Sequence, residues 1–134
     1  MAQESAAADK AVAMQDQLKA LVRTSHANLL NQIDRLGGML AAIGGQGADC
    51  AAAIRDAEGL AHQIKGASGS IGFPDVSQSA TVLDNHLKSL VALGAAVSAD
   101  QVKPSLELFA DLRRTAESTT PESSTLYGAD LSRR

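Results

Sequence analysis

Aromatic residues are almost missing from this chain. Phe73, Phe109 and Tyr127 make up 2% of its 134 residues, and there is no tryptophan. So few rings argue against an aromatic-rich β-sandwich and against modules that stack nucleic-acid bases on exposed rings. Excess positive charge is also absent. The formal net charge is -3 and the isoelectric point is about 5.5, so the electrostatic footprint of a DNA- or RNA-binding protein is missing. The single Cys50 excludes an internal disulfide and a cysteine zinc site. No apolar run approaches the roughly 18–20 residues that cross a bilayer. Residues 1–10 are polar and acidic, unlike a signal peptide. A reduced, cytoplasmic location is the simplest expectation, with neither nucleic acid nor membrane as a partner. Proline is scarce, occurring only at Pro74, Pro104 and Pro121.

What the chain has in abundance is alanine, the best helix former. Hydrophobic residues amount to 45% of a 13.8 kDa chain, enough for the core of one small domain. Leu18, Val22, Leu29, Ile33, Leu36, Leu40 and Ile43 recur at steps of three and four, the period of a helix face. One long helix or two would cover residues 6–43, because Thr24 or Ser25 could cap a second one. Gly44-Gly45-Gln46-Gly47 should stop the pattern, and Asp49 could cap a helix over 50–70. Gly72 to Asp75 reads as a turn, with Pro74 suited to the first turn of a helix carrying Val76, Ala80, Leu83, Leu87 and Leu90. Ser98 and Gln101 have the spacing of a capping box ahead of Leu106, Phe109 and Leu112. Pro104 then demands a later helix start or a kink. From Glu117 the composition turns to Ser, Thr and Pro, the mark of a disordered tail or linker. The expectation is an all-α, antiparallel four-helix bundle over residues 20–117. A helical segment over 1–19, with or without a helix of its own, would precede it, and a tail over 118–134 would follow.

The helix over 50–71 is the unusual one. On a wheel, Cys50, Ala53, Ile54, Ala57, Leu60, Ala61, Ile64, Ser68 and Ile71 form the core arc. His62 lies about 150° from the centre of that arc and faces solvent. Arg55, Gly59, Gly66 and Gly69 share the outer face, with Glu58 and Lys65 at its edges. Each glycine costs roughly 1 kcal/mol relative to alanine in a helix interior. Bare backbone on an exposed face therefore suggests that another molecule approaches beside His62, with Glu58, Gly59, Gly66 and Gly69 as docking candidates. An imidazole in water titrates near about 6.5, so a solvent-facing ring is largely neutral and nucleophilic slightly above neutral pH. Lys65, about one turn on, would sit beside an anion carried by that ring. His26 reads as a rim or core residue, His86 as solvated and Cys50 as a small buried residue. The three histidines lack ligand spacing, so no metal site is expected.

The segment Ala61-His62-Gln63-Ile64-Lys65-Gly66-Ala67-Ser68-Gly69-Ser70-Ile71-Gly72 resembles the signature of histidine-containing phosphotransfer (HPt) domains. In that signature a histidine is followed by lysine three residues on, glycine four on, serine six on, an apolar residue nine on and glycine ten on. Val76, Ala80, Leu83 and Asp84 continue the match. The resemblance implies that His62 is phosphorylated, usually on Nε2, that Lys65 balances phosphate charge, and that Gly66 leaves room for a receiver domain. It gives Ser68 a structural role. Asp84 is similar to the glutamate that orients the imidazole in the chemotaxis-kinase branch of the family, and Gly72-Phe73 resembles that branch too. Asp84 flanks the apolar stripe of its helix, where either a contact with His62 or a solvated carboxylate fits.

No Walker-type loop is present, and no carboxylate cluster near His62 could hold Mg²⁺. The chain is thus expected to be a phosphocarrier without a cofactor of its own. Mg²⁺ would come from the partner, a response-regulator receiver domain or a histidine kinase. Three functions fit: a phosphorelay intermediate, the phosphoryl-accepting domain of a larger chemotaxis-type histidine kinase, and a helical adaptor that takes no phosphate.

Overall fold

No proline interrupts the stretch from Ala2 to Ile43, and its alanines favour helix throughout. The computed structural model describes residues 2–43, 50–94 and 97–127, and this stretch is one unbroken helix, α1 (Ala2–Ile43). It is followed by α2 (Cys50–Ser70), α3 (Pro74–Leu93), α4 (Ala99–Glu117) and a single 3-10 turn over Pro121–Ser123. Each helix packs on its two neighbours in the cyclic order α1, α2, α3, α4. The result is the all-α four-helix bundle expected from the periodicity, with short connections that make successive helices antiparallel. Among the described residues, no helix is long and apolar enough to cross a membrane.

No cap forms at Thr24 or Ser25, and residues 2–19 are the first part of α1 rather than a helix of their own. The buried face instead continues through His26, which takes a core-facing position. It is 8% exposed, with Nε2 2.9 Å from Thr119 Oγ1 and its ring tilted against Phe73 at 5.2 Å. At 42 residues against 21 in α2, α1 is twice as long as its neighbour. Its buried apolar residues run from Val22 to Ile43, while Val12, Met14 and Leu21 upstream remain exposed. The glycine run at 44–47 and the cap at Asp49 lie outside the described residues.

Pro104 neither delays α4 nor ends it. The helix begins at Ala99, where the Ser98 N–H donates to Gln101 Oε1 at 2.8 Å, and it runs through the exposed Pro104. Pro104 lies inside α4, where its missing N–H leaves the Asp100 carbonyl without its intrahelical donor, and the helix continues on the bonds either side.

Residues 118–127 are not an unstructured extension. Ser124 is buried and donates from Oγ to the Ile71 carbonyl at 2.6 Å, and Thr125 N–H donates to the Gly72 carbonyl at 2.9 Å. Tyr127 accepts a hydrogen bond from Arg23 at 2.8 Å, and Lys19 lies over its ring. A polar composition signals disorder when it leaves nothing to bury. Here the polar groups satisfy carbonyls exposed by the turn after α2, which composition cannot reveal. Residues 128–134 lie outside the described residues.

That turn depends on Gly72, whose φ is +86°. A Cβ there would come within 2.6 Å of Ser124 Oγ and 2.9 Å of Thr125 N. Gly38, by contrast, sits in α1 with open space around it. Gly72→Ala should therefore lower stability by roughly 2 kcal/mol or more, from left-handed strain and overpacking. Gly38→Ala should raise it by about 0.5–1 kcal/mol through helix propensity. Urea unfolding midpoints of the two variants check both signs.

Candidate functional site

The register of α2 is set by Ile54, Ala57, Leu60, Ala61, Ile64 and Ser68, all buried in the bundle. Ser68 fits there because its hydroxyl donates to the Ile64 carbonyl at 2.7 Å, within its own helix. With this face inward, His62 points out, and its side chain is 60% exposed. The ring is nevertheless held. Nδ1 lies 3.2 Å from Oδ2 of Asp84 on α3. An ionised carboxylate can only accept, so the hydrogen bond requires the proton on Nδ1. In the neutral ring the lone pair is then on Nε2, the nitrogen not engaged by Asp84.

Asp84 is wholly buried at the α2–α3 interface. The same Oδ2 that meets the ring also lies 3.2 Å from Lys88 Nζ, one turn further along α3. Oδ1 has no hydrogen-bond partner. The structure thus brings His62 and Asp84 together. Of the two placements open to Asp84, the contact is the one found. Lys65 is half-buried and has no ion-pair partner among the described residues, and its carbonyl accepts from Ser77 Oγ at 3.0 Å. Gly59 and Gly66 are exposed, and a Cβ on either would meet nothing within 4 Å. The ring therefore stands on a helix face whose flanking backbone is bare.

The family model of the Hpt domain matches residues 2–117. The chain belongs to the Hpt domain family. Hpt domains are histidine phosphotransfer modules of phosphorelays, phosphocarriers rather than catalysts, and they interact with kinases and receiver domains. Comparison with curated proteins and with solved structures gave no match.

Gly69, His86 and Cys50 of this Hpt domain stand differently from their sequence reading. Gly69 was grouped with the bare docking face, yet a Cβ there would lie 3.3 Å from Ser77 Oγ, so its small size also serves the α2–α3 packing. Glu58 is half-buried, one turn before His62. Arg55 is exposed and lines an open groove with Arg35, Met39 and Gly59 between α1 and α2. His86 is half-buried rather than solvated, and its Nε2 is enclosed without a partner. Cys50 is half-buried rather than buried. Among the described residues, no group of three or more His, Cys, Asp or Glu side chains could hold a metal ion. Lys88 was missed by the sequence reading, although its place four residues after Asp84 on the same helix was the available signal.

If Asp84 sets the tautomer, ring ¹⁵N spectra of neutral His62 should show Nδ1 protonated and Nε2 free in the wild type. Asp84→Ala should shift the population toward the Nε2–H form. Identical spectra for the two proteins would remove Asp84 from that role.

Proposed function

We propose that His62 of this Hpt domain accepts a phosphoryl group on Nε2 and passes it to the aspartate of a receiver domain. The donor is a histidine kinase or a receiver aspartyl phosphate. The observation that carries this reading is the held but solvent-facing ring, with Nδ1 on a buried carboxylate and open space at Gly59 and Gly66. The Nε2 lone pair attacks phosphorus, an N–P bond forms, and the P–O bond to the donor breaks. The donor leaves as a free aspartate carboxylate, or as ADP when the group comes from ATP on a kinase. Nδ1 keeps its proton throughout, and the positive charge that develops on the ring is balanced by Asp84. The reverse sequence delivers the group to the receiver.

Lys65, about one turn on from His62 along α2, is assigned to the charge of the bound phosphoryl group. Mg²⁺ for the transfer is assigned to the partner, whose acidic site would hold it against the phosphoryl oxygens. Gly59 and Gly66 are assigned to close approach of the partner's surface, with Glu58 at the edge of that contact and Gly69 contributing less because Ser77 already fills its flank. A single unpaired cysteine suits action in a reducing cytoplasm.

Incubation with a kinase or a phosphorylated receiver should give label on the wild type that is stable in base and lost in acid. His62→Gln should carry none. Label persisting in that variant would overturn the assignment of His62, and binding without any label in the wild type would favour the silent adaptor. Gly66→Gln separates docking from chemistry. It should fold normally, since the site is open. It should take phosphate from the small donor phosphoramidate at the wild-type rate and exchange with a receiver about tenfold or more slowly. Equal receiver rates would show that the bare backbone at Gly66 is not part of the contact.

A further inference from the structure

Asp84 has one oxygen doing two things. Its side chain is out of contact with water, and Oδ2 meets both His62 Nδ1 and Lys88 Nζ at 3.2 Å, while Oδ1 is unpartnered. The ring nitrogen and the ammonium can therefore be no further apart than twice that distance. Other charged groups stand on the neighbouring faces, among them Asp56 in the groove between α1 and α2. On α2, Glu58 and Lys65 lie within about a turn of His62, and on the α1 side Arg35 and Arg55 line the groove that reaches Gln63. Among the described residues, the backbone of α4 makes no close approach to that of α2.

A carboxylate buried beside an imidazole, with no other cation, pulls the ring toward the imidazolium form. Imidazolium has no lone pair for phosphorus. A group that keeps the hydrogen bond but reduces the pull would leave more of the ring in its nucleophilic form. We propose that Lys88 is a positioning residue that does this: by sharing Oδ2 of Asp84, its ammonium offsets the carboxylate charge and keeps His62 neutral, with Nδ1–H toward Asp84 and Nε2 free. Lys88 acts through Asp84 and touches no reacting atom. An exposed i,i+4 pair contributes little. This pair differs because the acceptor oxygen lies out of water, where screening by solvent and salt is weak. The idea rests on His62 being the phosphoryl acceptor, but ring protonation can be read without any phosphate.

The test follows the His62 ring by NMR against pH, together with the initial rate of labelling by phosphoramidate, in the wild type, Lys88→Met and Lys88→Arg. In Lys88→Met the ring should take up its proton at higher pH than in the wild type. Its labelling rate should fall roughly two- to fivefold at about pH 6.5 and recover to within about twofold at about pH 8.5. Lys88→Arg should follow the wild type. A purely structural role for Lys88 would leave the protonation profile where it was. An unchanged or downward-shifted profile in Lys88→Met overturns the proposal, as does an upward shift that Lys88→Arg fails to reverse. If none of the three proteins takes label, the phosphoryl-accepting reading fails, and the NMR profiles still decide the role of Lys88.

Discussion

A carboxylate sealed between two helices, holding one edge of a ring that lies largely in water, is the constraint on which the site depends. Asp84 has no exposed surface, and burying such a charge alone would cost several kcal/mol. The bundle tolerates it because His62 and Lys88 both reach the same oxygen from the outer side of the α2–α3 interface. The arrangement couples packing to chemistry. The apolar residues that lock α2 against α3 also place the carboxylate, and the carboxylate fixes which ring nitrogen faces outward. A small slip between the two helices would lose the hydrogen bond and the ring orientation together.

The glycines of α2 show the opposite side of the same economy. Gly59 and Gly66 have no neighbour that a methyl group would disturb, so the bundle gains nothing from them. At roughly 1 kcal/mol each, they are a sizeable concession for a domain whose total stability is of order 5–15 kcal/mol. Gly69, Gly37 and Gly72 are different. A Cβ at these positions would crowd Ser77, the Phe109 ring or Ser124. Glycines that look alike in the sequence therefore divide into those whose Cβ the fold would crowd and those left bare toward solvent.

The helical architecture was legible because it rests on local rules. The three- and four-residue spacing from Leu18 to Ile43, the core arc of α2, the turn at Gly72 to Asp75 and the capping pair Ser98 and Gln101 all act over a few residues. Misreadings came where a distant group changed the meaning of a local one. Thr24 and Ser25 read as possible caps because no local rule shows that His26 beside them packs against Thr119 and Phe73. Residues 118–127 looked like a tail until their hydroxyls and amides met the carbonyls of Ile71 and Gly72.

The amino-acid order alone settled that His62 faces away from the core of an alanine-rich helix beside Lys65, Gly59 and Gly66. That information is helical periodicity, which needs no tertiary context. Whether Asp84 met the ring or the solvent was decided only when α2 and α3 packed, because the pair is 22 residues apart and its contact depends on the offset between two helices. The place of Lys88 was decided in the same way. Its spacing from Asp84 is local, but its share in the His62 hydrogen bond exists only because both side chains converge on one buried oxygen.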